Sequence, residues 1–212
     1  MLRVAFAMVI GGGFLGYYGY EEFKVGAGAS SDAVHVALAD LESGNPPPDT
    51  HLQIGDHWAL YPSWVGWGKE DSDQLDYIYY PIVSEGHAYN QAWDRLLARY
   101  GDAEIPEHEF PKLTSLAVLV KTDRFRREGD IPQQWQEVPS ITGLLVHEID
   151  GLKSDEERLL NQNYPDLDLG NVMILEEGRE PKSTMSAVGL MLGGVALILF
   201  GMGVLVRSHQ EA

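Results

Sequence analysis

MSAVGLMLGGVALILFGMGVLV, residues 185–206, contains no charged side chain. A charge at the centre of a membrane-spanning helix costs a few kcal/mol, so a run this long and this clean predicts a span. As a helix it would measure about 33 Å, slightly more than a hydrocarbon core of about 30 Å. A second uncharged run, VAFAMVIGGGFLGYYGY at residues 4–20, ends in Tyr17, Tyr18 and Tyr20, a residue type that collects at membrane interfaces. Met1, Leu2 and Arg3 ahead of it complete the layout of a secretory signal, and Ala27-Gly28-Ala29 offers a small-x-small cleavage site. Glu21, Glu22 and Lys24 intervene, so the run reads as an uncleaved signal anchor and a second span.

All but Glu211 of the 32 acidic residues lie between the two runs, with all but Arg3 and Arg207 of the 15 basic ones. The chain carries a net charge of −17. Nucleic acid is excluded as a partner, because binding it needs a basic face that releases counterions. Adhesion of this segment to anionic headgroups is disfavoured for the same reason. The absence of cysteine excludes disulfides, thiolate catalysis and cysteine-ligated zinc.

The expected organisation is a signal-anchor span at 1–20, an acidic extracytoplasmic α+β domain at 21–183, a second span at 184–206 and a short tail at 207–212. Positive charge is nearly balanced across the runs, so orientation rests on the short, signal-like N-terminus. Both termini are expected in the cytoplasm, in the plasma (inner) membrane. Gly12 and Gly16 are four residues apart, as are Gly189 and Gly193. That spacing opens a groove for another helix backbone. The expected partners are the bilayer itself and, through these grooves, other membrane proteins or a second copy.

Within the middle segment, Val34, Val36 and Leu38 alternate as in a half-buried strand, although Ser31 could instead open a helix through Val34, Leu38 and Leu41. Pro46, Pro47 and Pro48 impose an extended loop. Strands are predicted over 52–61, 76–83, 115–122, 141–149 and 171–176, with a loop over 62–73. Trp93, Leu96, Leu97 and Tyr100 fall on one face of a helix over 91–100. Ser154 and Glu157 form a capping box that starts a short helix. Helices scattered among strands, with no repeat, argue for a mixed β-sheet domain with two or three short helices.

Candidate chemistry is sparse. His51, Asp56 and His57 have zinc-ligand side chains, but a strand over 52–61 would hold the two histidines about 20 Å apart. Asp71, Asp73 and Asp76 could gather calcium, yet they lack the glycine and terminal glutamate of a helix-loop-helix site. Glu107-His108-Glu109 sits in a proline-bounded loop, and His147 and Glu148 alternate across a strand. No nucleophile elbow, phosphate-binding loop or dinucleotide fingerprint is present. No cofactor is expected. Trp64, Trp67 and Tyr79, with Tyr61, Tyr77 and Tyr80 close in sequence, could form an aromatic recognition surface. The sequence therefore favours a non-enzymatic membrane protein that binds other proteins or helps assemble a membrane complex. The rival reading is an extracytoplasmic enzyme or small-ligand domain built on His51, Asp56 and His57.

Overall fold

The computed structural model describes residues 2–26, 28–68, 73–101, 103–148 and 154–210. Its helices are α1 (Leu2–Gly26), α2 (Leu38–Glu42), α3 (Ala88–Tyr100), α4 (Ser154–Asn163) and α5 (Thr184–Gln210). Its strands are β1 (Val34–Val36), β2 (His51–Ile54), β3 (His57–Ala59), β4 (Val65–Gly68), β5 (Leu75–Val83), β6 (Val118–Thr122), β7 (Gln136–Val138), β8 (Ile141–Glu148) and β9 (Met173–Glu177). They form two units: Asp32–Arg179, and a helical unit of Met1–Ser31 with Glu180–Ala212.

The central unit is a mixed sheet ordered β1-β2-β8-β9-β6-β5-β3-β7, with β4 on the same edge of β5 as β3. β1 with β2 and β6 with β9 are parallel pairs; the remainder are antiparallel. Two residues, Gly55 and Asp56, link β2 to β3, five positions apart in that order. Flat, the two strands would lie about 24 Å apart. A link of this length reaches about 11 Å, so the sheet must curl until its two ends approach.

The concave side holds the core: Leu52 and Ile54 of β2, Ile78, Tyr80 and Ile82 of β5, and Val118 and Val120 of β6. Tyr61 stacks on Tyr80 at 4.7 Å and meets Phe125 edge-on at 5.6 Å. Proline is normally confined to sheet edges, yet Pro81 lies inside a nine-residue strand. Its carbonyl accepts the Leu60 N–H, so its missing N–H faces the same edge. There β4 ends its pairing at Tyr79 and β3 begins at Ile82, which leaves a gap where no donor is required.

Several expected elements change shape. The first strand and its rival helix both occur in part, as β1 followed by α2. The predicted strand 52–61 breaks at Gly55, and the predicted loop 62–73 contains β4. In β8 the register shifts between Leu145 and His147. Gly143 is needed where β8 meets β9: a Cβ there would lie 2.1 Å from the Glu176 carbonyl oxygen.

In the helical unit, α1 and α5 pack antiparallel. A Cβ on Gly12 would meet the Gly194 carbonyl oxygen at 2.6 Å, one on Gly19 the Ala187 carbonyl oxygen at 2.9 Å, and one on Gly201 the Ala5 carbonyl oxygen at 2.9 Å. The seam thus runs at seven-residue spacing along both helices, through Ala5, Gly12 and Gly19 against Ala187, Gly194 and Gly201. Lys182 pairs with Glu22 at 3.2 Å and also reaches the Tyr18 hydroxyl.

The expectation of two spans needs correction. Among the described residues one helix is long and apolar enough to cross a membrane, over Thr184–Arg207. Helix α1 is long, but Gly11, Gly12, Gly13, Gly16 and Gly19 replace aliphatic residues, three tyrosines dilute the rest, and Arg3, Glu21, Glu22 and Lys24 share the helix.

Candidate interaction site

The sequence-predicted site residues do not converge. His51 lies on the face of β2 opposite Leu52 and Ile54, whereas His57 shares its face of β3 with the core residue Ala59. The break at Gly55 divides the two histidines between strands and sheet faces, and Asp56 is exposed. Among the described residues no group of three or more His, Asp or Glu could hold a metal. His57 is almost fully buried, and its Nδ1 bonds the Gly55 carbonyl oxygen at 2.8 Å. Burial holds its pKa below the usual imidazole value, so the ring stays neutral. Asp71 of the possible calcium trio, and the side chains of His147 and Glu148, lie outside the described residues, as does Ala27 of the cleavage sequence.

Of the helix-packing glycines, Gly12 faces α5 directly, and the Gly16 backbone lies beside Gly194. Gly189 has open space at its Cβ position, and Gly193 meets only Leu15, at 3.6 Å.

One serine–histidine pair arises that sequence spacing did not suggest. His87 caps α3 by accepting the Tyr89 N–H at Nδ1, and its Nε2 lies 3.3 Å from Ser115 Oγ. With Nδ1 accepting, the neutral ring carries its proton on Nε2, so it cannot take the proton of Ser115. At the end of β6 and β9, a cavity of about 450 Å³ is walled by Asp76, Tyr77, Lys121, Glu176, Glu177 and Arg179. Its cations are already matched: Lys121 and Arg179 pair with Glu176, and Arg124 bridges Glu177 and the Tyr61 hydroxyl. Burial raises the Tyr77, Tyr79 and Tyr80 phenols well above the ordinary value, so they stay protonated.

A second aromatic cluster gathers on α3. Tyr79 is buried, and Trp64 and Trp67 are half-buried, with Trp64 packed against the core. Helix α3 begins at Ala88, three residues before its predicted start, and ends where Gly101 adopts φ 56°. Asn90 is the one residue the helix buries, its side chain donating to the Ser84 carbonyl oxygen. Two loops pack on the apolar stripe of α3. Trp93 meets Phe110 at 5.3 Å and Trp135 at 5.5 Å, and Tyr89 meets Trp135 at 5.5 Å. Glu109 holds one of these loops in place by accepting from the Tyr100 hydroxyl and Arg99. The covering is incomplete: Leu97 is 54% exposed and Phe110 46%.

This face adjoins a groove of about 340 Å³ walled by Pro62, Trp64, Tyr89, Leu113, Tyr164 and Pro165. Tyr164 is buried and donates to the Ser63 carbonyl oxygen, which fixes one wall, and Lys112 and Asp166 pair across the rim at 3.1 Å. Sequence reasoning passed over Tyr89, Phe110 and Trp135. Phe110 and Trp135 stand alone in polar, proline-bounded stretches, EHEFPK and PQQWQEVP, with no periodic neighbours to bury them. That isolation was the available signal. No family model, curated protein or solved structure matches the chain.

Proposed function

We propose that this is a membrane-anchored, non-enzymatic protein whose acidic domain binds another protein through the face formed by Tyr89, Trp93, Phe110 and Trp135. The supporting observation is that these four rings stay partly in solvent on a domain that fully buries Tyr61, Tyr79 and Tyr80. Tyr and Trp suit an interface because they bury large area with few rotatable bonds. Helix α5 supplies the anchor, with α1 packed along it. The signal-like N-terminus supports placing the acidic domain on the extracytoplasmic side and the short tail after α5 in the cytoplasm. The rival enzymatic reading loses its basis once His51 and His57 occupy different strands and faces.

A photo-crosslinking amino acid at Trp135, in intact cells, tests the reading. A discrete adduct at Trp135 that is missing from exposed Ser43 is expected. No adduct, or identical adducts from both positions, would contradict it.

A further inference from the structure

We infer that the groove between Trp64 and Tyr164 receives a proline-rich, basic segment of the partner protein in polyproline II conformation. This deepens the interaction reading above and rests on it. A polyproline II helix has three residues per turn and no internal hydrogen bonds, so it presents proline rings on its edges and free carbonyls along its length. Proteins bind such segments in grooves walled by aromatic rings, because the ligand is ordered before it binds. Three aromatic rings, two prolines, a leucine and Val65 line the groove, with Ser63, Asn163, Lys112 and Asp166 as the polar remainder. The aromatic surface does not stop at the groove mouth, because Tyr89 passes it on to Trp135 and from there to Trp93.

Hydrogen-bond chemistry agrees with this occupant. Trp64 and Tyr89 line the groove, and the Trp64 indole N–H and the Tyr89 hydroxyl have no protein hydrogen-bond partner among the described residues. Each is a donor of the kind that free ligand carbonyls require. Tyr164 spends its own hydroxyl on Ser63 and so serves as wall rather than donor.

Charge selects the flanks of the ligand. The chain carries −17 overall, and Lys112 at the rim is already paired with Asp166. Glu107 and Asp168, both exposed, stand in the same stretches of chain as Leu113 and Pro165. A basic segment is drawn towards such a surface, whereas an acidic one is repelled. The protein's own Pro46-Pro47-Pro48 run is bounded by Asp49 and belongs to a molecule of the same strongly negative charge. A second copy is therefore the poorer occupant.

Full-length protein in neutral detergent micelles, titrated with synthetic peptides and followed by tryptophan fluorescence, decides the matter. The probes are a proline-rich peptide flanked by arginines, the same peptide flanked by glutamates, an arginine-matched peptide with every proline replaced by alanine, and a peptide of residues 44–50. Saturable binding is expected for the first alone, weakened about tenfold by Tyr89→Ala and reduced as salt rises. Pro165→Ala, at an exposed position, repeats the test where the fold is least affected, and near-ultraviolet circular dichroism verifies folding of both variants. Equal binding of the alanine-replaced peptide would overturn the inference, as would preference for residues 44–50 or no saturation by any peptide. If Trp135 still yields its discrete cellular adduct while the peptides fail, the groove assignment falls and the interaction reading stands. Loss of both overturns both.

Discussion

Gly12 of α1 and Gly194 of α5 approach so closely that a Cβ on either would lie 2.6 Å from the other's carbonyl oxygen. No side chain fits that separation. Backbone contact of this kind lets two helices gain dispersion along their whole length without help from water, as is needed in an apolar surround.

Replacing Gly194 by leucine should part the helices. Overpacking of this kind costs about 1–3 kcal/mol. Because the chain has no cysteine, a Leu15→Cys, Gly193→Cys pair gives a clean readout by oxidative cross-linking. A Cβ at Gly193 would lie 3.6 Å from Leu15 Cδ2, so the two positions face each other across the seam and the intramolecular bond should form. Adding Gly194→Leu should lower its yield about tenfold. Equal yield with and without that change would mean the seam is not a close contact.

Glu156 opens α4 and is almost fully buried, with the Tyr77 hydroxyl donating to its carboxylate. Tyr77→Phe leaves a buried carboxylate without that donor, at a cost of about 1–3 kcal/mol. Tyr100→Phe removes a similar bond to Glu109 from a more open position and should cost less than about 1 kcal/mol. Urea unfolding of full-length protein in micelles measures both. Equal losses would refute the argument from burial.

His57 predicts a pH dependence with a definite sign. Burial lowers its folded pKa below 6.5, the value assigned to an unstrained imidazole. Above that pH the ring is neutral in both states and contributes no slope. As the pH falls below it, the unfolded chain takes up the proton first, so stability declines until the folded pKa is passed. His57→Gln should flatten this part of the stability curve relative to the parent. An unchanged slope would show that His57 takes up its proton alike in the folded and unfolded chain, against the effect of burial.

Much of the sheet was legible because burial on one face imposes alternation. Ile78, Tyr80 and Ile82, and Val118 and Val120, announce β5 and β6 in this way. Other elements left weaker traces. Glycines at 66 and 68 hide the alternation of β4, and β7 is Gln136-Glu137-Val138, with its first two residues exposed. The continuous pattern of 52–61 conceals a corner, because Gly55 and Asp56 must carry the chain from one end of the curled sheet to the other. The helix seam follows a seven-residue period, two turns of an α-helix, whereas the four-residue motif draws attention to Gly189 and Gly193. Tyrosine spacing could not reveal exposure either. Tyr79 is buried while Tyr89 lines a groove, and which loops fold back over a helix depends on residues distant in sequence.

Alkaline carbonate extraction of membranes from cells expressing the full chain tests the central claim, that α5 fastens the acidic domain to a bilayer. The account predicts that the full chain stays in the membrane pellet, while a chain ending at Arg179 enters the supernatant. Release of the full-length protein by carbonate would contradict it.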